Sequence, residues 1–194
     1  MPRVTRKEAD QHRDDVVEAA SRLFREHGID GVSVPAVMAE AGLTHGGFYG
    51  HFRSKEALAA EACAKAFEEK RGEYDAIVAR NGNDKEAARV EFIKRYTGKS
   101  HRDAMGLGCP AAALAVDAAR DKPKGPVRTA FAAGIEMMAQ KVPALLSRRK
   151  TIMRDEALAR MAMLVGGLML ARSTKGHEIS EEILQAVRKS LLDD

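Results

Sequence analysis

The chain has no tryptophan, two cysteines and only 5% aromatic residues in 194 positions. Runs of alternating Val, Ile, Thr and Tyr are also scarce, which excludes a β-sheet core and leaves an all-helical chain rich in alanine and charge. Cys63 and Cys109 are too few for a disulfide framework and suit a reducing compartment. The longest apolar run, MAMLVGGLMLA, has 11 residues, against the roughly 20 needed to cross a bilayer. The opening MPRVTRKEADQHRDD lacks an apolar leader core. No membrane partner is therefore expected, and the expected location is the cytoplasm. There is no GxGxxG, P-loop or Glu-x-x-His, and no Cys/His cluster has zinc spacing, so no cofactor or metal is expected. No internal repeat or low-complexity segment interrupts the chain.

A formal charge of +4 hints at an acidic partner, but residues 1–55 carry eight Lys or Arg and eight Asp or Glu. Net charge alone does not send this segment to DNA, and only placement is suggestive. Arg3, Arg6 and Lys7 read as a basic, flexible arm, and Arg53 with Lys55 close the segment AGLTHGGFYGHFRSKEAL.

Helical punctuation is regular. Val16, Ala20, Leu23, Phe24 and His27 share one helix face, which Gly28 ends. Ser33 offers an N-cap and Pro35 fits a first turn. Val34, Val37, Met38 and Ala41 follow at helical spacing, and Gly42 ends this second, short helix. A third begins after Leu43, with Thr44 as its cap, and runs to about His51. Two short helices across a tight glycine turn make a helix-turn-helix.

The glycines of that last helix are its strangest feature, since each costs a helix interior roughly 1 kcal/mol relative to alanine. In a helix-turn-helix the second helix enters the major groove, and Gly46 with Gly47 would keep its outer face narrow there. Its first amides could meet a phosphate, with Tyr49, His51 and Lys55 placed as further donors. Phe48 and Phe52 would face inward onto Leu23, Phe24 and Val37. The competing reading is a helical hairpin whose glycines merely allow close packing.

The stretch LFREHGIDGVSVPAVMAEAGLTHGGFYGHFRSKEAL resembles the DNA-binding domain of TetR-type bacterial regulators. The resemblance is carried by Leu23-Phe24, Gly28, Ser33-Val34, Ala41-Gly42-Leu43, Phe48-Tyr49, His51-Phe52 and Lys55-Glu56. It implies an N-terminal three-helix helix-turn-helix domain over 1–56 and a C-terminal helical ligand-binding and dimerisation domain over 57–194, about nine helices in all. It further implies a homodimer on double-stranded operator DNA, released by a small molecule. By position it places Ser33, Thr44 and Tyr49 at phosphates with Lys55, and His45 and Gly47 at bases. Met38 departs from the usual alanine and Gly50 from a frequent aromatic, so base readout is expected to lean on His45 and on DNA shape.

In the remaining two-thirds, Ala59, Cys63, Phe67, Tyr74 and Ile77 mark a long fourth helix, ended at NGND. Val90, Ile93, Tyr96 and Thr97 mark a fifth, Pro110 to Arg120 a sixth, and Val127 to about Ser147 a seventh interrupted by Pro143. Phe67, Tyr74, Phe92, Tyr96, Leu114, Phe131, Ile135 and Met138 are candidates to line an apolar effector cavity, or are plain core. EALARMAMLVGGLMLARST carries Leu158, Met161, Val165, Leu168 and Met169. ISEEILQAVRKSLL carries Ile179, Ile183, Val187 and Leu191. Both helices could be buried within the subunit, whereas the resemblance implies a dimer interface.

Cys109 precedes Pro110, which places it at a helix start, where the dipole favours a thiolate. With His101 and Arg102 near in sequence, it is a candidate sensor of electrophiles or oxidants, similar to a segment in TetR-type repressors that respond through a cysteine. A small buried packing residue is the alternative. Two further classes remain: an architectural DNA binder without effector, and a small thiol enzyme using His101 as base.

Overall fold

The computed structural model describes residues 5–82, 84–149 and 152–193. Among them are ten α-helices, three 3-10 turns and no strand. The first helix, α1 (Arg6–His27), starts at a capping box in which Thr5 accepts from the Glu8 amide and the Glu8 carboxylate accepts from the Thr5 amide. Arg6 and Lys7 are consequently helical rather than part of a flexible arm, because Thr-x-x-Glu nucleates the turn that contains them; Arg3 lies outside the described residues. Gly28 ends α1 at φ +74°, and its amide reaches back to the Phe24 carbonyl.

Ser33 caps α2 (Val34–Glu40) by accepting from the Ala36 amide at 3.2 Å. Gly42, at φ +71°, turns the chain. The next element is a 3-10 turn over His45–Gly47 that becomes α3 (Phe48–His51). Phe48 and Phe52 are buried and stacked at 5.6 Å, with the Arg13 guanidinium 4.9 Å over the Phe52 ring.

The longest helix, α4 (Lys55–Asn81), leaves this head and runs through the body. Leu58, Ala59, Ala62, Cys63, Ala66 and Phe67 are buried along it, so a single rigid rod belongs to both halves. Around it stand α5 (Lys85–Tyr96), α6 (Lys99–Asp103), α7 (Pro110–Arg120) and α8 (Pro126–Lys141). At Gly134 a Cβ would overlap the Phe67 ring, so glycine lets α8 approach α4. Pro143 makes the chain after Lys141 a 3-10 turn (Val142–Leu145) instead of more helix. Then α9 (Arg154–Ser173) and α10 (Glu178–Asp193) pack together.

Ten helices replace the expected nine because α6 was not foreseen. Its five residues, KSHRD, are wholly polar, and a single turn has no periodicity to read.

Candidate nucleic-acid face and buried cavity

On the outer surface of the head, Thr44, His45, Gly46, Gly47, Tyr49 and Gly50 are exposed in succession, and Tyr49 is 73% exposed. Ser33 is exposed at the start of α2, with Val34, His51 and Lys55 half-buried around it. The Thr44 hydroxyl makes no capping bond and is free to meet a partner. A Cβ built at Gly46 or Gly50 would meet nothing within 4 Å, and one at Gly47 would make only ordinary contact with the Met38 terminal methyl, at 3.7 Å. The glycines therefore do not serve close packing inside the head, which removes the hairpin alternative. Met38 is 1% exposed and fills the space beneath Gly47.

The head is fastened to the body through α1. The buried Arg25 guanidinium donates to the Ser21 carbonyl, the Ser21 hydroxyl, the Glu69 carboxylate at 2.8 Å and the Gly108 carbonyl at 3.3 Å. The Ile29 amide donates to Asp117 Oδ1 at 2.8 Å. Gly106 sits against Arg22 and Glu26, where a Cβ would overlap both. The short segment 104–109 thus presses on α1 with one side. Its other side, through Ala104, Leu107 and Cys109, lines a cavity of about 300 Å³ in the body, at the lower end of the size range of small-molecule sites.

Of the nine candidate sensor residues, Tyr74, Phe92, Tyr96 and Cys109 meet at this cavity. Phe67, Leu114 and Met138 are buried core away from it, and Phe131 and Ile135 pack partly buried against that core. Phe67 and Phe131 meet edge to face at 5.6 Å. Periodicity selects apolar faces, but it cannot separate a face that lines space from one that is filled.

Cys109 does cap α7, and its side chain is fully buried. Its surroundings differ from those expected from sequence. His101 Nδ1 donates to the Tyr96 carbonyl at 2.7 Å, and Nε2 accepts from the Cys109 amide at 3.0 Å. Both ring nitrogens are occupied, and burial pulls the imidazole down to about 4. His101 is therefore a neutral strut for the Cys109 backbone and has no lone pair left to act as a base for the thiol. Arg102 turns away to Asp103 and Ser180.

The residue that does stand behind Cys109 is Arg172, which the sequence reading missed. Its Nε and Nη2 donate to the Arg102 and His101 carbonyls, and Nη1 is enclosed without a partner among the described residues. Only its distance in sequence, on α9, concealed it. Cys63, also fully buried, has its thiol pushed up to about 12 by burial.

On α9 and α10 the candidate interface residues divide. Met161 and Leu168 are buried inside the subunit, Val165, Met169, Ile183 and Val187 are half-buried, and Ile179 is 47% exposed. Gly167 admits Val187 of α10, whereas a Cβ at Gly166 would meet nothing. The outward row of α9 is Leu158, Ala162, Gly166 and Leu170. α9 is apolar on nearly every side, so periodicity alone does not single out this row.

Residues 16–62 match the family described as bacterial regulatory proteins, tetR family. The HTH-type transcriptional repressor AcnR of Corynebacterium diphtheriae is 35% identical over 86 residues, 42% of this chain and 41% of that protein. The chain matches well under half the length of such curated relatives. Among solved structures, a TetR transcriptional regulator from Chloroflexus aurantiacus is 25% identical, with TM-score 0.76 over 96% of this chain and 95% of the other. The reduced form of E. coli NemR shares the fold at 16% identity, TM-score 0.74, over 91% and 95%. No helix of the described residues is long and apolar enough to cross a membrane. The chain thus carries an N-terminal domain that matches the tetR family of bacterial regulatory proteins, joined to a helical body whose fold is similar to that of solved TetR-family regulators.

Proposed function

We propose that the protein is a homodimeric repressor that holds a palindromic operator and releases it when a small molecule occupies the body cavity or Cys109 is modified. The observation that carries this reading is the open row from Thr44 to Gly50, whose glycines leave space that the fold itself does not use. Ser33, Thr44, Tyr49, His51 and Lys55 act as phosphate contacts, and His45, beside Gly46 and Gly47, faces bases. Residues 1–56 form the reading head and 57–194 the sensing and pairing body. Two heads paired through α9 and α10 would present reading helices about 34–36 Å apart, one DNA turn.

Release is supported by the position of segment 104–109. A guest that displaces Leu107 or Cys109 must also disturb Gly106 and the Arg25–Gly108 contact on α1, and with them the head. The test is operator binding by the wild type and by Cys109→Ser, each titrated with hydrogen peroxide and with a conjugated aldehyde. Release that disappears in Cys109→Ser supports a covalent trigger. Release that persists assigns the trigger to reversible occupation, and a bound operator that nothing displaces would sink the inducible reading.

A further inference from the structure

The cavity is unevenly equipped. Tyr74 and Tyr96 line it and are 4% and 5% exposed; among the described residues the Tyr74 hydroxyl has no hydrogen-bond partner, and the Tyr96 hydroxyl meets only the Cys109 thiol. Burial, with Cys109 adding to it, raises both phenols well above their ordinary range, so each is an O–H donor at neutral pH. Arg172 acts electrostatically on both Tyr96 and Cys109, keeps one enclosed N–H group unpartnered, and forms no ion pair with a carboxylate among the described residues. Burial lowers its guanidinium, the signature of a cation short of a counter-charge.

The nearest lining carboxylate, Glu73, is already taken by Lys70 at 2.7 Å. Arg95, Ser100 and His101 add polar lining, while Phe92, which meets Tyr74 edge to face at 5.4 Å, and Ile77 supply the apolar wall. Half-exposed to exposed groups, with Leu107 at 65%, mark the mouth. The cavity thus offers two phenol donors backed by the charge of Arg172, which stands behind Cys109 outside the lining, and a hydrocarbon wall.

We infer that this cavity binds a small organic carboxylate, its oxygens accepting from the Tyr74 and Tyr96 hydroxyls near Arg172, with an apolar body against Phe92 and Ile77. Charge-assisted bonds to two preplaced hydroxyls favour an acid over its neutral counterparts. The inference rests on the reading of the cavity as an effector site.

The experiment is calorimetric binding of benzoate, cinnamate and octanoate, each paired with the matching primary alcohol, to the full-length protein without DNA. At least one acid should bind tenfold or more tightly than its alcohol. Tyr96→Phe and Tyr74→Phe should each weaken that acid by about tenfold and leave the alcohol unchanged. Because Tyr74→Phe removes an unpartnered buried hydroxyl and Tyr96→Phe one that meets only a thiol, both at constant shape, the ligand-free variants should melt within roughly a degree or two of the wild type, or above it, which separates lost recognition from lost folding. Alcohols that bind as well as their acids in all three pairs, or acid binding untouched by both substitutions, would overturn the inference. An acid that binds as described yet leaves a selected operator bound would keep the carboxylate site and sink the effector reading instead.

Discussion

Replacing Gly46 by alanine separates what the fold needs from what the partner needs. A Cβ at Gly46 meets nothing within 4 Å, and Gly46 is not among the glycines at positive φ. Alanine narrows the unfolded ensemble at such a site and should stabilise by about 0.4–1 kcal/mol. For a chain of this size each kcal/mol moves Tm by roughly 2–4 °C, so Tm should rise about 1–4 °C. The same methyl stands on the face assigned to the groove. One mispositioned contact costs about 1 kcal/mol or more, and a dimer carries two, so operator affinity should fall by about thirtyfold from roughly 2 kcal/mol. The assays are calorimetric melting and anisotropy titration on one operator at fixed salt. Affinity within twofold of wild type, or a fall in Tm, would refute the argument that Gly46 is kept for the approach of DNA.

Arg25→Met removes a buried guanidinium bound to Ser21, Glu69 and Gly108. Glu69 remains partly hydrated, so the loss should be about 2–3 kcal/mol, a melting shift of roughly 5–10 °C. Effector-driven release should weaken more than operator binding does, and an unchanged effector response would count against segment 104–109 as the link. His101 gives a pH signature: folded it sits near 4, against an ordinary 6.5. Between those values the unfolded chain takes the proton and the folded chain refuses it. Stability is therefore fully present above about 6.5 and is lost as pH falls toward 4, by roughly 3 kcal/mol. His101→Gln should flatten that slope between pH 6.5 and 4.5, above the window in which Glu86 and Asp103, held near 2 by hydrogen bonds from Arg89 and Arg102, titrate. A variant that keeps the slope would assign it elsewhere. Leu170→Glu, at 58% exposure, should yield a folded monomer in sedimentation, whereas Leu168→Glu, at 1%, should fail to fold; a Leu170→Glu dimer would move the interface off this row.

Local chemistry made much of the head legible. Gly28 and Gly42 announced left-handed turns, Ser33 announced a cap, and Pro110 announced the start of α7, because each signal acts within a few residues of itself. Phe48 and Phe52 read correctly as inward for the same reason: a helix repeats every 3.6 residues, so four apart is one face. Thr5-x-x-Glu8 was equally readable, but a run of charged residues hid it. The cavity was only half legible. Tyr74, Phe92, Tyr96 and Cys109 lie on three helices, and nothing local distinguishes them from Phe67 or Leu114, which fill their space. Arg172 reaches Cys109 from α9, a meeting set by tertiary packing alone. On α9 the apolar residues ring the helix, so the sequence could not tell the row facing α10 from the row facing outward.

The most direct test of the central claim is a selection of bound sequences from random duplex DNA by the purified protein. A dimeric reader should enrich one palindrome whose half-sites are centred about one helical turn apart and protect it symmetrically in footprinting. Binding without an enriched sequence, weakening steeply with salt on every duplex alike, would contradict it.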